Sequence, residues 1–208
     1  SRTDEAEPLS IARFASTAST ELSLSGTEEK VTLGDNVSAV GKVTGLSGAF
    51  PIPTGNVTFQ YSKDGITWTS LGTAKTLVSG TARSDNLTPL AAGDYALRVV
   101  YDGDVHYLGS TSGNVTLTVG RATPLVSTVL SAVTARRGDN VTDNATVTGL
   151  GLFFPAPSGN VTFQVSLGDS GEWTAFGDNK TLVNGSATSD NYSTSALGTY
   201  YFRAVYNG

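Results

Sequence analysis

The sequence predicts an all-β fold of two tandem sandwich domains. Three observations carry that expectation: a long internal repeat, period-two alternation of apolar residues inside each copy, and turn residues at close spacing. The repeat has a period of 104 to 105 residues, so that Gly34-Asp35-Asn36-Val37-Ser38 returns as Gly138-Asp139-Asn140-Val141-Thr142. Likewise Pro51-Ile52-Pro53-Thr54-Gly55-Asn56-Val57-Thr58-Phe59-Gln60 returns as Pro155-Ala156-Pro157-Ser158-Gly159-Asn160-Val161-Thr162-Phe163-Gln164. Trp68 matches Trp173, Lys75–Val78 matches Lys180–Val183, and Arg98–Gly103 matches Arg203–Gly208. A repeat this long is a whole domain, not a solenoid unit.

Taken in order, the first copy accommodates about seven strands, near residues 20–25, 35–44, 56–61, 66–72, 73–87 (two strands), 94–101 and 114–119. Val57, Phe59 and Tyr61 alternate with Asn56, Thr58 and Gln60, and Val115, Leu117 and Val119 alternate with Asn114, Thr116 and Thr118. Alternation of this kind buries one face of a strand and wets the other. Pro53-Thr54-Gly55, Lys63-Asp64-Gly65 and Asp102-Gly103-Asp104 interrupt the runs where turns are needed. The expected boundaries are an N-terminal extension over 1–18, a first domain over 19–120 and a second over 121–208. The linker Gly120-Arg121-Ala122-Thr123-Pro124 is short and holds one proline, which predicts a stiff, elongated rod.

The second copy stops at Gly208, the turn that matches Gly103, so the second domain is expected to lack its last strand within this chain. An open strand edge beside an uncovered core is sticky. Either the chain belongs to a longer multi-module protein, or another subunit supplies the strand by β-strand addition. Residues 1–15 suit the second role in part, because Leu9 and Ile11 alternate with small or polar neighbours, although Arg13 breaks the pattern; a leader or a helical turn fits the same residues.

Composition sets the compartment. Gly 24, with 23 Ser and 29 Thr, makes over a third of the 208 residues, and charged residues are only 15%. Apolar residues at 38% suffice for modest cores. A net charge of −5 and a pI near 4.7 argue against nucleic acid or anionic membranes as partners. No window approaches a membrane span of about 18 apolar residues. There is no Met, and a removed signal peptide is the simplest reading of that. Cys is absent too, which favours a bacterial or archaeal surface protein over a disulfide-bearing eukaryotic one.

The residues for catalysis are thin. One histidine, His106, and no cysteine exclude Cys–His and multi-His metal sites. His106 stands in an Asp-Gly-Asp-Val-His-Tyr turn and reads as a solvated turn residue, so no enzyme and no cofactor is expected. Asp102 with Asp104, or Asp139 with Asp143, offers oxygens for calcium, but Asp and Gly are ordinary hairpin residues. Asn207 replaces Asp102 in the second copy, so a shared calcium site has no support.

Asparagine carries the strongest chemical signal. Of 11, ten stand in Asn-x-Ser/Thr with x not proline: Asn36, Asn56, Asn86, Asn114, Asn140, Asn144, Asn160, Asn179, Asn184 and Asn191. Asn56, Asn114 and Asn144 fall on the polar parity of their strands, where a glycan projects without entering a core. Dense N-glycosylation is the expectation; Thr- and Asn-rich solvated strands are the plain alternative. Trp68, Trp173, Phe59, Phe163, Tyr101 and Tyr206 repeat between copies and read as core or turn packing. Leu152-Phe153-Phe154 replaces Gly48-Ala49-Phe50 in a loop, where the pair packs locally under the loop or docks on a neighbouring module or subunit; Phe153 and Phe154, with Leu9, Ile11 and Phe14, are the candidate subunit-interface residues.

Pro53 to Phe59, Leu71 to Ala74, and Ala92 to Ser110 together resemble the bacterial and archaeal immunoglobulin-like repeats of surface adhesins and S-layer-associated proteins. The resemblance implies two immunoglobulin-like β-sandwiches serving as stalk, spacer or filament modules, with no catalytic residues to carry over. Three functions follow as expectations. The first is an N-glycosylated subunit of an extracellular, pilus-like filament whose partners are copies of itself or neighbouring surface modules. The others are a stalk segment of a large cell-surface adhesin or S-layer-associated protein and a carbohydrate-binding or enzymatic accessory module.

Overall fold

The computed structural model describes residues 12–24, 31–168 and 171–208, and of residues 17–24 the backbone alone. Leu9 and Ile11 lie outside the described residues. The fold is all-β, as expected, with no helix among the described residues. The chain divides into two compact units, one ending at Arg121 and the other starting at Ala122.

The first unit contains β1 (Thr17–Leu24), β2 (Val31–Thr32), β3 (Val37–Thr44), β4 (Asn56–Ser62), β5 (Thr69–Ser70), β6 (Lys75–Thr76), β7 (Thr81–Arg83), β8 (Gly93–Tyr101), β9 (Ser110–Thr111) and β10 (Val115–Gly120). One sheet runs β1-β3-β7; the other runs β2-β10-β8-β4-β5, with β6 also on β4 and β9 on β8. The ladders are antiparallel except for β2 against β10, where Val31 pairs with Val119. The two-residue strands β2 and β9 were not expected, because a pair of residues is too short to show alternation.

Alternation does what the sequence implies. On β4 Val57 and Phe59 point inward, and on β8 Tyr95, Leu97, Val99 and Tyr101 do; together with Val37, Ala39, Val43, Leu117 and Val119 they form one core. Gly41 lies on β3 between these faces, and a Cβ there would stand 3.0 Å from the Phe59 ring and 3.1 Å from Val99. That close approach explains a glycine in mid-strand.

The second unit contains β11 (Leu125–Leu130), β12 (Asn140–Val141), β13 (Asp143–Thr148), β14 (Asn160–Leu167), β15 (Thr174–Ala175), β16 (Lys180–Thr181), β17 (Ser186–Thr188), β18 (Tyr192–Ser193) and β19 (Tyr200–Tyr206). Its sheets are β11-β13-β17, the small pair β12-β18, and β15-β14-β16 with β19 on β14. Ala145, Val147, Val161, Phe163, Leu182 and Ala187 form its buried centre. Among the described residues β19 pairs with β14 alone, whereas β8, at the same repeat position, is flanked by β4 and β10.

Candidate functional site

All ten sequon asparagines lie at exposed positions. Four belong to the first unit (Asn36, Asn56, Asn86, Asn114) and six to the second. Strand geometry sets this: Asn56 and Asn160 open β4 and β14 one residue before a buried valine, and Asn144 stands on β13 between buried Asp143 and Ala145. Cross-strand hydroxyls hold several of these side chains. Thr76 Oγ1 donates to Asn56 Oδ1 at 3.0 Å, and Thr181 Oγ1 repeats the bond to Asn160 at 3.0 Å. Thr88 donates to Asn36 at 2.5 Å, and Ser193 donates to Asn140. These contacts use the amide oxygen, whereas an N-linked sugar joins the nitrogen. Asn184 sits at a tight turn with φ of 52°, as Ser79 does at 50° in the first unit; asparagine tolerates that conformation better than most residues.

No sequon asparagine falls between Gly120 and Arg137 or between Tyr192 and Tyr206, the segments that hold β11 and β19. A hollow of about 340 Å³ is lined by Leu130, Val133, Val141, Thr194, Leu197 and Phe202, among others. A second, of about 580 Å³, lies between Thr123, Pro124 and Val126 and the residues Arg203 to Tyr206. In the repeat register, the strip between the segment preceding β12 and β19 corresponds to the path of β10 between β2 and β8.

The aromatic residues separate into three groups. Phe59, Phe163 and Tyr101 are core residues, and Tyr206 is half-buried. Trp68 and Trp173 are stacked by arginine instead: the Arg98 guanidinium lies 3.8 Å from the centre of one indole and that of Arg203 lies 4.2 Å from the other. Phe153 is 88% exposed, and Phe154 is half-buried. Phe14 is engaged within its own unit. Its N–H donates to the His106 carbonyl, its carbonyl accepts from Leu108 N–H, and its ring meets Phe50 edge-on at 5.2 Å.

Of the acidic residues considered for calcium, Asp104 and Asp139 are held by donors close by. The Asp104 carboxylate accepts from Thr54 N–H and Oγ1 and from the N–H groups of His106 and Tyr107. Slight burial acts to raise its pKa, but those donors outweigh it and hold the carboxyl well below the usual carboxylate range. Asp139 accepts from Arg136 N–H at 2.7 Å. Asp143 is fully buried, and no donor meets its carboxylate oxygens at full hydrogen-bond geometry, the Thr128 hydroxyl and the Asn144 N–H acting on them only from nearby. Burial pushes its carboxyl up; the Thr128 hydroxyl and the Asn144 N–H soften the shift without cancelling it. Sequence reading missed this oddity, although the repeat signals it by placing Asp143 where the first copy has Ala39. Among the described residues no three His, Cys, Asp or Glu side chains gather to hold a metal. No helix among them is long and apolar enough to cross a membrane.

Two sheets packed face to face around an alternating core define an immunoglobulin-like β-sandwich. Residues 24–120 match the family model of the bacterial Ig-like domain (group 3). No curated protein matches the chain. Among solved structures it is similar to the Escherichia coli adhesin FdeC, at 15% identity and a TM-score of 0.37 over 91% of this chain and 60% of that one. It is also similar to titin domains A168–A170, at 17% identity and a TM-score of 0.28 over 91% of this chain and 60% of that one. The chain thus spans about 60% of the length of both.

Proposed function

We propose that the chain is a non-enzymatic structural subunit of an extracellular, N-glycosylated surface filament, joined to its neighbours by a β-strand laid along β19. One observation carries this reading. All ten sequon asparagines are exposed, and none lies on β19 or among the residues that line the two hollows beside it, Asn140 standing next to one of them. Glycans would coat the other sides and leave that edge open to another strand. Main-chain hydrogen bonds supply affinity in such an addition, and alternate side chains filling the hollows supply register. The strand comes from residues 1–11 of another copy, where Leu9 and Ile11 have the required alternation.

Intact-mass measurement of protein from its native cells tests the glycans, since an unmodified mass would sink that half of the reading. Electron microscopy of full-length protein and of a form lacking residues 1–11 tests the linkage. The full chain is expected to form concentration-dependent filaments, and the shortened one to remain monomeric with both units folded. The deletion stops at residue 11 because Phe14 belongs to the first unit.

The 104 to 105-residue repeat favours a second reading, in which the chain is a stalk segment of a larger surface adhesin. Stalk material would stay monomeric at every concentration, and its gene would continue into further copies of the repeat.

A further inference from the structure

Six of the ten sequons are crossed in pairs. In Asn-x-Ser/Thr the asparagine and the hydroxyl residue stand two apart, so on a strand they share one face. Two such triplets on neighbouring antiparallel strands can then lie with each asparagine facing the other's hydroxyl. Asn160-Val161-Thr162 on β14 and Asn179-Lys180-Thr181 at β16 do this, with Asn160 paired to Thr181 and Val161 to Lys180. Thr181 Oγ1 donates to Asn160 Oδ1 at 3.0 Å, and Thr162 Oγ1 donates to Asn179 Oδ1 at 2.8 Å. Asn140-Val141-Thr142 crosses Asn191-Tyr192-Ser193 in the same way, with Asn140 opposite Ser193 and bonded to its hydroxyl. In the first unit Val37 bridges Leu87, so Asn36-Val37-Ser38 crosses Asn86-Leu87-Thr88, and Thr88 donates to Asn36 at 2.5 Å. These last two are one pair recurring in both copies of the repeat.

Backbone hydrogen bonds join Gly159 with Leu182 and Val37 with Leu87. The asparagines therefore flank them at non-hydrogen-bonded positions, where facing side chains come closest. The two asparagines of a pair are diagonal neighbours on one exposed face, about 7–8 Å apart.

Sugar transfer from a glycosyl diphosphate joins Nδ2 to the anomeric carbon and breaks that carbon's bond to the diphosphate oxygen. Nδ2 gives up one proton, and the diphosphate leaves with the electron pair. Oδ1 is untouched, so a modified Asn160 still accepts from Thr181. That hydroxyl is the one that completes the Asn179 sequon, and the bulky new sugar lies beside it. A first sugar thus takes both the hydroxyl and the space that a second would need.

We propose that each crossed pair is a single acceptor site, carrying a sugar on one asparagine or on the other and never on both. The inference rests on the N-glycosylation reading. With four sequons outside the three pairs, the chain then carries at most seven glycans. Asn56 supplies the contrast. Thr76 donates to it as Thr181 does to Asn160, but Ala74 stands where the second unit has Asn179, so no second sequon crosses it there.

The largest number of glycans on one intact chain, read by mass on full-length protein from its native cells, tests this. Asn160→Gln and Asn179→Gln should each leave that number unchanged, because the remaining asparagine takes the sugar, while the two changes together should lose one glycan. Ala74→Asn completes a new triplet with Thr76 and crosses Asn56, so it should add none. All these positions are exposed, and unfolding should match that of the parent. The proposal is overturned if either single change loses a glycan, if the double change loses none or two, or if Ala74→Asn gains one. Eight or more glycans on one chain overturn it while the N-glycosylation reading stands. An unmodified mass overturns both.

Discussion

Tyr101 and Tyr206 occupy the same position in the repeat and end equivalent strands, yet Tyr101 is 1% exposed and Tyr206 is half-buried. Their own sequences do not separate them. Arg98-Val99-Val100-Tyr101 on β8 and Arg203-Ala204-Val205-Tyr206 on β19 both pair residue by residue with the preceding long strand. The difference comes from what lies beyond. β10 and β9 cover the far edge of β8, Asp104 pins the turn after it, and Tyr107 enters the core. Burial, with Asp104 nearby, pushes the Tyr101 phenol up to about 12. Tyr206 instead donates its hydroxyl to the Ser158 carbonyl at 2.5 Å. Local pattern therefore decides that a strand forms, and later neighbours decide how deeply it is buried.

The comparison breaks most sharply at Tyr107. Tyr107→Ala removes a fully buried ring and the hydroxyl that holds residues 46–51. Replacing a buried aromatic by alanine costs about 3–5 kcal/mol, so the first unit should lose most of its stability. Denaturant unfolding followed by Trp68 fluorescence in a Trp173→Phe background measures this. A loss below about 1 kcal/mol would mean that the turn, and not the ring, sets the depth of the first core.

Asp143 is the next test. It occupies the position of Ala39 on the equivalent strand, buried, with no donor at full hydrogen-bond geometry to its carboxylate oxygens. An unsatisfied buried polar group costs about 1–3 kcal/mol, so Asp143→Ala should stabilise the second unit by that order at neutral pH. The pH dependence has a definite sign. A carboxyl whose folded pKa is raised binds more protons folded than unfolded. The second unit is then at full strength below about pH 4, the unfolded carboxylate range, and weakens as pH rises through the folded pKa. Asp104 gives the first unit the opposite dependence: its lowered pKa contributes stability above about pH 4 that is lost only in stronger acid. Urea titrations at pH 4 and pH 7, read separately by Trp173 and Trp68, would show the contrast. A second unit equally stable at both values, or an Asp143→Ala variant weaker than the parent, would contradict it.

These differences mark how far the sequence could be read. The all-β class was legible because Val57, Phe59 and Tyr61 alternate cleanly and turn residues separate the runs. Exposure of the sequon asparagines was legible on strands, where parity fixes the face, and less so at Asn184, whose place is set by a turn. Short ladders such as β2 and β9 escaped, since pairing across distant segments creates them. The docking of Phe14 also escaped, because nothing local to Ala12–Ser16 announces Tyr107 as its neighbour. Asp143 was legible only as a mismatch in the repeat: one residue shows the charge, but its burial depends on both sheets closing over it.

The smallest predicted effect tests where the units should agree. On each outer sheet face an arginine lies over a tryptophan and donates Nε–H to a glutamine on the adjacent strand: Arg98 to Gln60 at 2.8 Å and Arg203 to Gln164 at 2.7 Å. A guanidinium over an indole near the surface contributes about 0.5–1 kcal/mol. Arg98→Ala and Arg203→Ala should therefore each cost about that much, and each should change the emission of the tryptophan it leaves. Equal losses would mean that the two outer faces are energetically the same although the cores beneath them differ, because cross-strand pairs on a ladder act locally. A markedly larger loss for Arg203→Ala would instead mean that β19, held by β14 alone among the described residues, leans on its outer face for support that β8 draws from β10.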